Sequence, residues 1–240
     1  PNTKVVDGYV ALVHNQAQRN LRLSRHLGAD RADTSIGPLS FKVLGPQRRW
    51  ALKLGPNQSG VEFSLEYTAR IAPYLVKRIV YERQEGQGTS FSHYFQPGRF
   101  HGDVTFRGGK FLAQGFVGTR DRSWGIRAAR EGMGIHFWIQ VHFSRFALAL
   151  LYSETRDHKP YYLDGALLYD DGRVAPIIEL RHRVQFDMGT REHTSAELVV
   201  KDATGQETYI SSRQLSRGVY LAGAGYGGWH GVDRGEFHTE

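Results

Sequence analysis

The chain has 240 residues, 40% hydrophobic and 12% aromatic, with no cysteine and a net charge of +7 from 31 Lys and Arg against 24 Asp and Glu. That composition supplies one large β domain or two small ones, and it excludes disulfides, thiolate metal sites and a disordered chain. The basic residues are dispersed, as Arg48-Arg49, Arg120, Arg122, Arg127, Arg181 and Arg183, so they read as a solvated surface and nucleic acid is not an expected partner.

In chain order, apolar residues alternate with polar ones again and again between Gly, Pro, Asn and Asp. Gly8–Asn15 places Tyr9, Ala11 and Val13 on one face, and Asn15–Arg25 is the one weak helical pattern. Pro38–Leu44 and Arg49–Leu54 flank the turn dipeptide Gly45-Pro46. Val61, Phe63, Leu65, Tyr67, Ala69 and Ile71 give the clearest strand of the first half, ended by Pro73. Leu75–Tyr81 and Ser90–Phe95 follow. Phe100–Phe106 and Lys110–Val117 then form a hairpin across Arg107-Gly108-Gly109, because tight primed turns need positive φ.

In the second half Ile135–Ser144 sets His136, Trp138, Gln140 and His142 opposite an apolar row. Strands are expected at Tyr161–Tyr169, Val174–Phe186, Ala196–Lys201 and Glu207–Ser212, before a glycine-rich tail holding Tyr226, Trp229 and His230. Short strands with frequent turns predict an all-β sandwich or barrel set. No internal repeat is visible, and the division into two halves is expected near Ala128–Gly134, giving units 1–128 and 129–240.

The most apolar region, Ile135–Tyr152, is interrupted by His136, Gln140, His142, Ser144 and Arg145, so no transmembrane helix is expected. The first residues, PNTKVVDGYV, lack a signal-peptide core, and the cytoplasm is the expected location. His136 and His142 are six residues apart, roughly 20 Å along a strand, and do not share a metal. No metal and no organic cofactor are expected.

After the hairpin comes an unusual cluster, Gly118-Thr119-Arg120-Asp121-Arg122-Ser123-Trp124-Gly125. The pattern Gly-x-Arg-Asp-x-Ser-Trp-Gly resembles a lipocalin-like double-barrel family. That family includes the carotenoid hydratases (hydroxyneurosporene synthase) and kievitone hydratase, with tocopherol cyclase a more distant relative. Gly98–Val104 resembles the strand that precedes the motif, and Gly225–Gly231 the late family segment. The resemblance implies two consecutive calycin-type β-barrels and an acid-catalysed hydratase, dehydratase or cyclase acting on an isoprenoid- or phenolic-like substrate. One departure stands out: Arg122 occupies the position after the motif Asp where many members carry His.

Under that resemblance Asp121 is the general acid, and His101 or His230 helps water attack. Trp124, Trp138, Gln140, Tyr226 and Arg120 are the substrate-binding set. Each has a plainer reading: a structural Asp–Arg pair for Asp121, a core Trp for Trp124, an exposed His for His101. Residues 120 and 122 leave a strand on the side opposite to 121, and 124 does too. A pocket shared by Asp121, Trp124 and Arg120 therefore needs a bend, for which Gly118 and Gly125 are the expected hinges. The alternative to an enzyme is a non-catalytic carrier of a hydrophobic small molecule.

Overall fold

Period-two patterning becomes antiparallel strand along almost the whole chain. The computed structural model describes residues 4–14, 17–81, 88–126, 133–190, 192–215, 219–223, 226–230 and 233–239, without the side chains of 81, 133 and 219–239. The first half runs β1 (Val5–His14), β2 (Ala17–His26), β3 (Leu39–Gly45), β4 (Arg49–Leu54), β5 (Val61–Ala69), β6 (Tyr74–Leu75), β7 (Ile79–Tyr81), β8 (Thr89–Phe106) and β9 (Gly109–Ile126). The second runs β10 (Met133–His142), β11 (Phe146–Thr155), β12 (Pro160–Tyr169), β13 (Val174–Phe186), β14 (His193–Asp202), β15 (Glu207–Gln214), β16 (Val219–Gly223), β17 (Tyr226–His230) and β18 (Asp233–Thr239).

Two seven-stranded sheets result. In one, β3, β4, β5, β8 and β9 pair in sequence, with β6 and β7 joining the first part of β8. The other is the meander β10-β11-β12-β13-β14-β15, closed on its last strand by β18. The fold is all-β, with curled sheets of the lipocalin-like barrel kind, and no helix among the described residues is long and apolar enough to cross a membrane. The division expected near 128–134 falls largely on residues outside those described.

Three local outcomes differ from the sequence expectation. In the weak helical pattern Asn15–Arg25 the described part is not helical: Ala17–His26 pairs with β1 through an unbroken register. Leu21 and Leu23 then lie on one face and pack with Leu39, Leu54, Val61 and Phe106, a burial that outweighs a weak helical pattern. Second, Ser90–Phe95 and Phe100–Phe106 are one strand through Pro97. The Pro97 carbonyl accepts from the Arg70 amide, so its missing N–H faces the end of β5 and the ladder to β9 survives.

Third, β11 carries no strand signal in the sequence because it has no alternation. Phe146, Leu148, Leu150 and Tyr152 pack into the core of the second sheet, while Ala149 and Leu151 pack against Phe95 of the first and against Val76, between β6 and β7. A strand buried on both faces is a continuous apolar run. It is also what joins the two halves.

Candidate active site between the two sheets

Register fixes which side chains of the second sheet face the first. Across β10, β11 and β12 the rows are His136–Ser153–Tyr162, Trp138–Leu151–Asp164, Gln140–Ala149–Ala166 and His142–Ala147–Leu168. The first sheet presents Thr119, Asp121 and Ser123 from β9 and His93 and Phe95 from β8, with Asp121 directly opposite Phe95 and Ser123 opposite His93. The two surfaces touch at several points. Phe95 and Trp138 meet ring to ring at 6.1 Å. Thr119 Oγ1 lies 3.3 Å from His142 Nε2. Tyr74 donates to Asp164 Oδ1 at 3.0 Å, and Tyr162 to the Lys77 carbonyl at 2.7 Å.

Polar groups are concentrated along this apolar seam. Asp121 Oδ2 is 3.1 Å from His93 Nε2, with the carboxylate 40% exposed and the imidazole only 7%. The contact lies off the line of a hydrogen bond, and His93 Nε2 has no other partner among the described residues. The His93 ring packs on Phe95 at 4.5 Å. Gln140 buries both its amide oxygen and nitrogen, with no hydrogen-bond partner among the described residues. Burial first, then the charges of Arg70 and Arg99, pushes His142 down to about 4, so it is neutral at physiological pH.

Asp164 is 3% exposed and accepts from the Tyr74 hydroxyl and from the backbone amides of Lys77 and Gly165. Those donors fix it on the seam, in one row with Trp138. Burial, together with the neighbouring Asp164 carboxylate, raises both Tyr74 and Tyr162 well above the ordinary phenol range, so they remain protonated donors.

Of the residues expected from sequence, Asp121, Trp138 and Gln140 come to this seam. Arg120 and Trp124 do not: the register of β8 with β9 is unbroken from Pro97–Thr119 to Ser90–Ile126. The bend expected there is absent, so both side chains leave the opposite face and Trp124 does not bury Asp121. Gly118 is no hinge either; a Cβ there would lie 2.3 Å from the Phe100 ring, so the glycine makes room for that ring. His101 sits at the single bulge between β8 and β9. There its Nδ1 accepts from the Gly115 amide at 3.2 Å. That is six residues from Phe95, roughly 20 Å along the strand. Tyr226 and His230 lie on β17, whose side chains are outside the described residues.

Sequence reasoning missed His93 and Asp164. Within Ser90–Phe95 the two-residue spacing puts His93 on the face of Phe95, but nothing local marks it as Asp121's partner. Among the described residues no three His, Asp or Glu side chains are grouped as a metal ion would require.

No curated protein matches the chain. Solved structures do match at low identity. A protein of Nitrosomonas europaea assigned as AttH superposes with a TM-score of 0.69 at 13% identity, covering 97% of this chain and 76% of its own. Kievitone hydratase of Nectria haematococca gives a TM-score of 0.59 at 12% identity, covering 98% of this chain and 75% of its own. At such identities the likeness speaks for the fold. A family model described as "Family of unknown function (DUF8625)" matches residues 1–240, and the chain belongs to that family.

Proposed function

We propose that the seam between the sheets is the active site of a hydro-lyase that adds water to, or removes it from, an apolar isoprenoid- or phenolic-like alkene. The two sheets act as barrel-like units, 1–128 and 129–240, that clasp the substrate between them. The observation that carries this reading is the Asp121–His93 pair, 3.1 Å apart beside the Phe95 ring, which itself meets Trp138. The fold it shares with kievitone hydratase is in keeping with that chemistry.

Hydration of an unactivated alkene needs a proton on one carbon and a site that tolerates the resulting cation. The Asp121 carboxyl delivers the proton, and the C=C π pair forms the new C–H bond. The cation left on the other carbon faces Trp138, whose π face stabilises it by about 2 kcal/mol where water is excluded. Asp164, held as a buried acceptor in the Trp138 row, adds a fixed negative counterpart. Water attacks the cation and gives up its extra proton to His93, which returns it to Asp121. Gln140, with both amide atoms unpaired among the described residues, orients that water or a substrate hydroxyl. Dehydration is the same sequence reversed.

A carrier of a hydrophobic ligand has no use for a carboxylate–imidazole pair on its wall. The test is incubation of the protein with a panel of prenylated phenols and acyclic isoprenoid alkenes in ¹⁸O-labelled water, read by mass spectrometry. Incorporation of one labelled oxygen into one class of alkene, dependent on folded protein, is expected. Tight binding of those compounds with no labelled product from any of them would make the protein a carrier and end the hydro-lyase reading.

A further inference from the structure

Strands β8 and β9 have a second face, turned away from the seam, which nothing in the proposed chemistry uses. On it Tyr94 lies opposite Arg122, Gln96 opposite Arg120, Gly98 opposite Gly118 and Phe100 opposite Phe116. Tyr67 extends the Phe100 row and Trp50 extends it again. One end of this face is covered by the β1–β2 hairpin through Leu21, Leu23, Val10 and Leu12. At the other end sits Arg120.

Its guanidinium carbon lies 4.3 Å from the centre of the Trp50 ring and 5.0 Å from that of Tyr94. Among the described residues only Nη1 has hydrogen-bond acceptors, the amide oxygens of Gln96 at 3.2 Å and Gln47 at 3.4 Å. No carboxylate pairs with Arg120 among the described residues. Glu66, the acid on neighbouring β5, is taken by Arg49 at 2.8 Å. Tyr67 is spent as well, donating to the Gln96 carbonyl at 2.6 Å.

Two further donors stand beside this cation. Tyr94 is only 7% exposed, and among the described residues its hydroxyl has no hydrogen-bond partner; the buried Trp50 Nε1 has none there either. Buried donors left unmade are costly and rare in folded proteins. Here two of them belong to the rings that pack on an unpaired guanidinium. Trp124, 48% exposed and edge-on to Tyr94 at 6.2 Å, forms the rim.

We infer that this face is a second binding site, separate from the seam, for the carboxylate of an organic acid with a flat apolar body. One partly buried guanidinium with two neutral donors matches a planar monoanion. The aromatic surfaces of Trp50, Tyr94 and Trp124 suit a flat ring or conjugated chain attached to it. Arg120 and Trp124, expected from the sequence to share a pocket with Asp121, belong to this site instead. None of these side chains takes part in the seam reaction.

Calorimetric titration with trans-cinnamate tests it, with cinnamyl alcohol as the uncharged counterpart. Saturable cinnamate binding is expected, weakened roughly 10–100-fold by Arg120→Gln and to a similar extent for the alcohol. Tyr94→Phe, which removes one hydroxyl from a conserved shape, should weaken it by a few-fold and carries the test if Arg120→Gln does not fold. Trp138→Ala, on the seam, should leave cinnamate affinity unchanged. Absence of saturable binding by the folded wild type overturns the inference. So does an affinity that survives Arg120→Gln, that falls instead with the exposed Arg122→Gln, or that is lost in Trp138→Ala.

Discussion

Phe95 and Trp138 come from different sheets and meet at 6.1 Å. Phe95 is fully buried, while Trp138 remains 43% exposed. The contact therefore closes the seam on one side and leaves an aromatic surface open on the other. Phe95 also packs with Val76, between β6 and β7, and with Ala149, Leu151, Ala166 and Leu168 of the second sheet. Phe95→Ala should cost about 3–5 kcal/mol, because a cavity remains in a layer that neither sheet can collapse alone. Urea unfolding gives the value; a loss below about 1 kcal/mol would show that the sheets do not depend on this layer.

His142 supplies a pH signature. Its folded value is lowered to about 4 by burial, then by Arg70 and Arg99, against about 6.5 in an unfolded chain. Between those values the unfolded chain holds a proton that the folded protein refuses, so stability rises with pH across that window. On acidification it is lost from about 6.5 down to about 4 and then levels off. His142→Gln should remove this component, worth up to ~2 kcal/mol after allowance for partial exposure. Thermal melts of both proteins at pH 7 and pH 4.5 should show a smaller difference for the variant; equal differences would mean His142 is not desolvated.

The ion pair between Arg70 and Asp170 fastens the same two halves. Arg70 reaches Asp170 at 2.6 and 2.8 Å and the Ser144 carbonyl at 3.2 Å, with its side chain 8% exposed and that of Asp170 48%. The Arg70 hydrogen bond, outweighing a small burial penalty, lowers the Asp170 carboxyl below the usual range. Its contribution is complete above about pH 4 and disappears as pH falls through the lowered folded value. Asp170→Asn leaves a mostly buried guanidinium without a counter-charge. It should cost about 1–3 kcal/mol near neutrality, below the full penalty of a buried pair because Asp170 is half in water. The variant should approach wild-type stability near pH 2. A constant difference from pH 7 to pH 2 would mean that shape, not charge, makes the contact.

The strands were legible wherever one face is buried and the other wet, as in Val61–Ala69, where period two follows directly from the pleat. Phe146–Thr155 was not, since burial on both faces erases the alternation. The hairpin turn was readable too: Arg107 and Gly108 both take positive φ, at 50° and 76°. In the site, Trp138 and Gln140 could be assigned a common face from parity alone. What parity cannot supply is the partner across the seam. Tyr74 and Asp164 are 90 residues apart, and no local pattern in either segment encodes their meeting. The same limit explains His93, and why a motif that places Arg120, Asp121 and Trp124 together in sequence separates them onto two faces of β9.

Asp121 decides between chemistry and structure. The side chain is 40% exposed and its ion-pair partner among the described residues is His93, at 3.1 Å; the structural Asp–Arg pair is not seen among them. Asp121→Asn keeps the shape and removes the transferable proton. If Asp121 is the acid, turnover of whatever alkene incorporates labelled water should fall roughly 10²–10⁴-fold, about 3–5 kcal/mol in activation free energy. The melting temperature should move little, because a half-exposed contact of this kind contributes about 0–1 kcal/mol. His93→Asn should lower the same rate while leaving the binding of the alkene intact, as expected of a group that only receives and returns a proton. His101→Asn, at the bulge roughly 20 Å away, should change neither binding nor rate by more than about twofold. A folded Asp121→Asn protein with near-normal turnover would refute the assignment, and Asp164, the other carboxylate on the seam, would then be the acid to test by the same paired measurement. A variant that loses stability and rate together would return Asp121 to a structural role.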